Sequence, residues 1–361
     1  MMAAKVIRVL IVDDSPVARD ILRDLLTGQD GIEVIAEATN GQEAVDLVEK
    51  LRPDLVTMDL NMPVMSGMEA IVQIMYNKAV PILVVSNESD AELAYQAISS
   101  GALEVIAKPR YTAEEAESFA DKVRLLAGVS VITRMRQRYL AEPEQVAPVA
   151  YQRSSAVPSD VQQVFVIASS TGGPQALASV LPQLPIDFPA PILIAQHISD
   201  GFIDGMAQWL SGLCQLPVKV AENGEVLRSS CVYLSPPEQD LTVTAGRCLA
   251  LTQRNAKDIY RPSCDALLTS VADVFGSQAV GIIMTGMGRD GAKGMRAIYN
   301  KGGITLAQDE ASSVIYGMNA EAVNLGVIQR EIPLASIANE MLQIVGLPRT
   351  NERTLLSRGD A

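Results

Sequence analysis

Short apolar runs that end on polar residues alternate with stretches of helical period along most of this chain, and that pattern admits little besides parallel α/β layers. The first run, Val6–Val12, ends in Asp13-Asp14-Ser15-Pro16. Val17–Leu26 has helical spacing and Glu33–Ala38 is a strand. Asn40 with Glu43 forms a cap pair for a helix over Gly41–Lys50. Asp54–Met58 runs into Asp59, Gly67–Tyr76 is helical, and Val80–Val85 ends at Ser86. Ala91–Ser100 is a helix stopped by Gly101, Leu103–Ala107 precedes Lys108-Pro109, and Ala113–Leu126 is the last helix. Five strands alternating with five helices over about 125 residues predict a parallel, doubly wound sheet.

In such sheets function collects beyond the carboxyl ends of the strands. Asp13, Asp14, Asp59, Ser86 and Lys108 all fall there. One polar strand end means little, but this set converges on one edge. Three gathered carboxylates repel one another and attract a hard cation such as Mg²⁺, which takes oxygen ligands. A carboxylate also attacks phosphorus to give an aspartyl-phosphate, whose oxygens a lysine and a hydroxyl would bind.

Residues 128–160 break the alternation and read as an interdomain linker. They hold Arg134, Arg136, Arg138 and Arg153 among Pro143, Pro148 and Pro158. The alternation resumes at Val164–Leu177, VFVIASSTGGPQAL, which reads as strand, glycine turn and helix with Pro174 at its first position. Pro191–Gln196 is the next strand, and His197, the only histidine in the chain, follows it. Val218–Val220, Cys231–Leu234, Leu241–Thr244 and Cys248–Thr252 predict hairpins. Asp265–Phe275 is helical, and Ala279–Met284 is a buried strand feeding the loop TGMGRDGAKGM around Asp290.

Ser170, His197 and Asp290 each follow a strand of one sheet, so a serine, histidine and carboxylate arrangement is feasible. Nucleophilic catalysis needs these types: a hydroxyl to attack, an imidazole to take its proton, and a carboxylate to hold the tautomer. The residues alone leave alternatives open. The G-x-S-x-G elbow is not matched, because Ala168 stands at its first glycine. Nothing local chooses among Ser169, Ser170 and Thr171. A lone histidine is more often structural, Asp290 reads equally as a helix N-cap, and a glycine turn before a helix also binds phosphate.

The chain has 361 residues, too many for one ordinary domain. A hydrophobic content of 48% marks a globular protein, and a net charge of −13 argues against a nucleic-acid partner. No apolar run is long enough to span a bilayer, and the N-terminus lacks the form of a signal peptide. Four cysteines without a C-x-x-C pair read as free thiols in a reducing, cytoplasmic setting.

Residues 1–127 resemble a response-regulator receiver domain, a flavodoxin-like (βα)5 fold, through Asp13-Asp14, Asp59 in MDLNMPVMSG, Ser86 and Lys108-Pro109. The resemblance implies phosphorylation of Asp59 by a histidine kinase, Mg²⁺ held by Asp13, Asp14 and Asp59, and readout by Ser86 and Lys108. It also implies a cis peptide before Pro109. Residues 161–347 are similar to the catalytic domain of chemotaxis protein-glutamate methylesterases, a doubly wound, mainly parallel α/β domain with an antiparallel insertion. The motifs are ASSTGGP, QHIS, RPSCDAL, MTGMGRDGAKGM and LAQDEASSVIYGM. By that likeness Ser170 is the nucleophile, His197 the base and Asp290 the third member, with the N–H groups of Thr171 and Met287 as oxyanion candidates. The esterase chemistry then needs no cofactor. The expected substrate is the methylated glutamate of a chemoreceptor's cytoplasmic helices, and the receiver is expected to cover the site until phosphorylated. The chain departs from the family's pattern at Ala168, Ile198-Ser199, Tyr260 and Asn319. The segment 348–361 reads as a disordered tail. Two rival readings are a hydrolase for another protein ester and a non-catalytic output module.

Overall fold

The structure is a computed structural model and describes residues 5–131, 162–253 and 260–348. The chain divides into two compact units, Met1–Glu144 and Gln145–Ala361. Apart from 128–131 and Pro348, the expected linker and tail lie outside the described residues.

The first unit runs β1 (Ile7–Val12), α1 (Pro16–Leu26), β2 (Ile32–Ala38), α2 (Gly41–Leu51), β3 (Leu55–Met58), α3 (Gly67–Asn77), β4 (Ile82–Ser86), α4 (Ala91–Ser100), β5 (Glu104–Ala107) and α5 (Ala113–Ala127). All its strands are parallel, in the order β2-β1-β3-β4-β5. Val9–Val12 and Ile82–Val85 are buried as continuous apolar runs, as strands covered on both faces must be. Helix starts follow local chemistry. Ser15 Oγ accepts the Ala18 N–H and Pro16 opens α1. Asn40 caps α2 by accepting the Glu43 N–H, but Glu43 turns to the N–H and hydroxyl of Thr39, so the pair is not reciprocal. A reciprocal capping box stands instead at Ser66 and Glu69, on α3. The Lys108–Pro109 bond, expected cis, is trans, and the cis peptide among the described residues is Arg261–Pro262. An X-Pro bond favours trans only slightly, so its neighbours in space decide the isomer.

The second unit runs β6 (Val164–Ser169), α6 (Gly173–Val180), β7 (Ile192–Gln196), α7 (Ile203–Leu213), β8 (Val218–Val220), β9 (Val232–Leu234), β10 (Gln239–Val243), β11 (Leu249–Gln253), α8 (Cys264–Phe275), β12 (Ala279–Ile283), α9 (Ala292–Asn300), β13 (Ile304–Gln308), α10 (Met318–Asn324), β14 (Arg330–Ile332) and α11 (Leu334–Ile344). A parallel sheet has the order β14-β13-β12-β6-β7-β9-β8, and β10 pairs with β11 antiparallel. Only the last two of the four expected hairpin strands form one. β8 and β9 instead pair parallel at one end of the main sheet, β9 between β7 and the edge strand β8. The connection 221–231 is long enough for a crossover without a helix, and a three-residue apolar run does not encode its partner.

From β6 the chain moves to β7 on one side and returns later to β12 on the other. The order therefore reverses at β6, the position where doubly wound sheets open a crevice beyond their carboxyl ends. Ser170 stands at that point, flanked by His197 after β7 and by the loop 285–291 after β12.

Candidate active site

The register pairs Ser169 on β6 with Gln196 on β7, so Ser170 and His197 are the next residues beyond two adjacent strands. Neighbouring strands lie about 4.8 Å apart, which brings the two residues together with no further device. The strand-end hydroxyls are now distinguishable. Ser169 is fully buried and its Oγ donates to Gln196 Oε1 at 2.6 Å. Thr171 is buried at 1%. Ser170 keeps 7% exposure, and its hydroxyl bonds to no described residue, His197 included. Catalytic hydrogen bonds are commonly long before substrate binds.

Gln196 is a positioning residue that the sequence reading missed. Its Nε2 donates to the carbonyls of Ser170 at 2.9 Å and His197 at 2.8 Å, tying the two strand ends together. Its signal was a long polar residue closing the apolar run ILIAQ. Gly173 makes room for it, since a Cβ there would lie 1.9 Å from Gln196 Oε1. Gly173→Ala is therefore expected to push Gln196 aside, cost about 1–3 kcal/mol of stability in urea unfolding, and slow hydrolysis with it. A wild-type urea midpoint in that variant would show Gln196 to be dispensable.

His197 Nε2 lies 2.8 Å from Asp290 Oδ2. The same carboxylate accepts the N–H of Cys264 at 2.6 Å and of Asp265 at 3.0 Å. Asp290 thus does cap a helix, but the helix is α8, which begins at Cys264, and not the α9 that follows Asp290 in sequence. Burial favours its neutral form, yet the bonds from His197 and the two backbone donors outweigh burial and hold its pKa below the usual carboxylate value. An ionised Asp290 assigns the histidine proton to Nε2 and leaves Nδ1 as the nitrogen with a free lone pair.

Two of the family departures take structural places here. The Tyr260 ring stacks on His197 with centroids 5.2 Å apart and 14° between planes. Asn319 Nδ2 donates to Gln308 O at 2.7 Å, joining the start of α10 to the end of β13. Gly286 packs on the serine, since a Cβ there would lie 2.7 Å from Ser170 Cβ. Beyond it the Met287 N–H makes no hydrogen bond among the described residues, and the residue is 47% exposed. The Thr171 carbonyl accepts from Thr285 Oγ1 at 2.9 Å.

In the first unit Asp13, Asp14, Asp59 and Lys108 come together, and the Lys108 N–H bonds the Ser86 carbonyl at 3.1 Å. One carboxylate oxygen from each of Asp13, Asp14 and Asp59 lies within 4.8 Å of the other two. Lys108 Nζ bonds Asp13 Oδ2 at 2.7 Å and lies 3.2 Å from Asp59 Oδ1. Burial and the neighbouring Asp13 charge push Asp59 up to about 6 against the pull of Lys108. Burial works against the Lys108 ammonium, but Asp13 and Asp59 raise its pKa overall. The Ser86 hydroxyl at the end of β4 is buried without a partner among the described residues. An all-oxygen acidic set beside an unpaired hydroxyl fits a hard cation and a phosphoryl group.

The CheB methylesterase family model matches residues 165–341, and the response regulator receiver domain model matches 9–117. A protein-glutamate methylesterase/protein-glutamine glutaminase of Paramagnetospirillum magneticum is 52% identical, covering 94% of this chain and 96% of its own. A relative of the same description from Anaeromyxobacter dehalogenans is 41% identical, covering 94% and 97%. The solved Thermotoga maritima CheB methylesterase catalytic domain is 34% identical and covers 50% of this chain and 98% of that one, with a TM-score of 0.49. No helix among the described residues is long and apolar enough to cross a membrane. With full-length relatives at this identity, the chain belongs to the protein-glutamate methylesterase/protein-glutamine glutaminase family, a receiver domain joined to a CheB methylesterase domain.

Proposed function

We propose that this chain is a phosphorylation-activated esterase of the cytoplasm. It hydrolyses glutamate γ-methyl esters on the cytoplasmic helices of chemoreceptors and deamidates receptor glutamines by the same route. The observation that carries this reading is the bond between the chain's one histidine and Asp290, beside the strand end that holds Ser170, whose hydroxyl has no partner among the described residues.

Asp290 holds Nε2–H, and His197 Nδ1 takes the proton as Ser170 Oγ attacks the γ-carbonyl. The N–H groups of Met287 and Thr171 are the candidate donors to the oxyanion that forms. Collapse expels methanol, which carries off the proton from Nδ1. Water then attacks the acyl-enzyme, giving its proton to Nδ1, and Ser170 leaves with that proton as glutamate is freed. From glutamine, ammonia leaves in place of methanol.

In the receiver, Asp59 is the acceptor of a phosphoryl group from a histidine kinase. Asp13, Asp14 and Asp59 would hold Mg²⁺, which when bound supplies charge neutralisation for the transfer. Lys108 and Ser86 would bind the phosphoryl oxygens, and the modification adds about −1.5 to −2 of charge.

The test is methanol release from receptor membranes carrying radiolabelled methyl esters, with and without a small phosphodonor. Release is expected, and the donor raises it. In Asp59→Asn the donor is expected to have no effect. Stimulation of that variant to the wild-type level would overturn Asp59 as the switch, and absence of labelled methanol would overturn the substrate.

A further inference from the structure

Cys264 opens α8 with its side chain fully buried. Its Sγ lies 3.5 Å from His197 Nε2, the same nitrogen that Asp290 Oδ2 approaches to 2.8 Å. One nitrogen, one sulfur and one carboxylate oxygen thus stand within 4.8 Å of one another. Ester hydrolysis uses no step through this thiol. Burial, with the Asp290 charge beside it, pushes the thiol pKa well above its ordinary value, so it is not a rival nucleophile.

We propose that His197, Cys264 and Asp290 form a binding site for a soft divalent cation of the zinc class, and that its occupancy withdraws His197 from catalysis. The donor set is the first support. Imidazole, thiolate and carboxylate are the ligands of zinc, whereas magnesium takes oxygen alone. Spacing is the second. Zinc bonds of about 2.3 Å to sulfur and about 2.0–2.1 Å to nitrogen, at a tetrahedral angle, separate the two atoms by about 3.5 Å. The structure already places them 3.5 Å apart. The carboxylate sits closer, at a hydrogen-bonding distance, and recedes by about half an ångström when a cation replaces the shared proton. Charge is the third. A dication with one thiolate, one carboxylate and a neutral imidazole sums to zero, which suits a buried site better than the net negative charge the three side chains carry now. His197, with 14% of its side chain exposed, is the member that solvent reaches.

The proton balance accounts for the inhibition, which rests on the role given to His197 above. The cation takes the Nε2 lone pair, the imidazole proton moves to Nδ1, and the thiol proton is released to solvent. Protonated Nδ1 then has no lone pair for the Ser170 proton.

The experiment uses the full chain without phosphodonor, which keeps the receiver's acidic pocket out of the readout. Wild type, Cys264→Ala and Cys264→Val are titrated with Zn²⁺, each scored against its own metal-free rate of methanol release. Inhibition of the wild type at zinc concentrations about tenfold or more below those needed for either variant is expected. Co²⁺ is expected to give a thiolate-to-metal charge-transfer band that both variants lack, and Mg²⁺ none. Because the chain has one histidine, its imidazole NMR signals report His197 directly and are expected to shift with Zn²⁺ only where Cys264 is present. Equal zinc sensitivity in all three proteins, or a cobalt spectrum unchanged by removal of Cys264, overturns the site. The band and the NMR shift with undiminished methanol release establish the cation site and overturn His197 as the base.

Discussion

Ser170→Ala is expected to lower turnover of glutamate methyl esters by a factor on the order of 10³ or more, the scale seen when other hydrolase triads lose their nucleophile. The loss is expected to fall on kcat, because a nucleophile, the role proposed for Ser170, acts on the reacting carbon. Folding is expected to be nearly unaffected, since the Ser170 hydroxyl has no hydrogen-bond partner among the described residues. Ser169→Ala provides the contrast. It removes the buried donor to Gln196, so its cost lies first in stability. A Ser170→Ala enzyme that releases methanol at the wild-type rate removes the assignment.

Asp290→Asn has the second large effect, with two separable parts. Loss of the carboxylate frees the wrong tautomer of His197, which in a triad lowers turnover by a factor on the order of 10⁴. The same carboxylate receives the first two N–H groups of α8, at 2.6 and 3.0 Å. An amide presents one acceptor oxygen and two unwanted hydrogens there, so a further loss of about 2 kcal/mol in unfolding free energy is expected. Ser170→Ala gives the first effect without the second. The pH dependence has a definite sign. The folded pKa of Asp290 is lowered, so its contribution is fully present above the unfolded value of about 3.9. It fades as pH falls through the lower folded value, and wild type and Asp290→Asn converge in acid. A constant gap in unfolding midpoint down to strong acid, or an unaltered midpoint at neutral pH, would contradict the helix-capping role.

The alternation that marks both domains was legible because hydrophobic period is local: side chains two or 3.6 residues apart share a face in any surroundings. The strand-end residues Asp13, Asp59, Ser86 and Lys108 followed from it, because parallel strands of one sheet end on one edge. Pairing direction was less accessible. The runs at 218–220 and 231–234 look alike whether they form a hairpin or join the main sheet, and the sheet's edge decided for the latter. The cap at Asn40 was found and half of its partner's role was wrong, because Thr39 competes for Glu43 within the same turn.

The order of residues by itself determined two α/β domains, the acidic receiver pocket and the three strand ends that hold Ser170, His197 and Asp290. It left three neighbouring hydroxyls equivalent and set the helix-cap reading of Asp290 against the chemical one. Tertiary structure gives these groups different partners. Gln196, one strand over, takes the Ser169 hydroxyl, while the Ser170 hydroxyl has no hydrogen-bond partner among the described residues. Asp290 turns out to serve a helix that starts 26 residues earlier in the chain while holding the histidine. The physical reason is common to both. A side chain's period and propensity are set by its neighbours in sequence, but its hydrogen bonds and charge state are set by whichever groups the fold brings within about 3 Å of it.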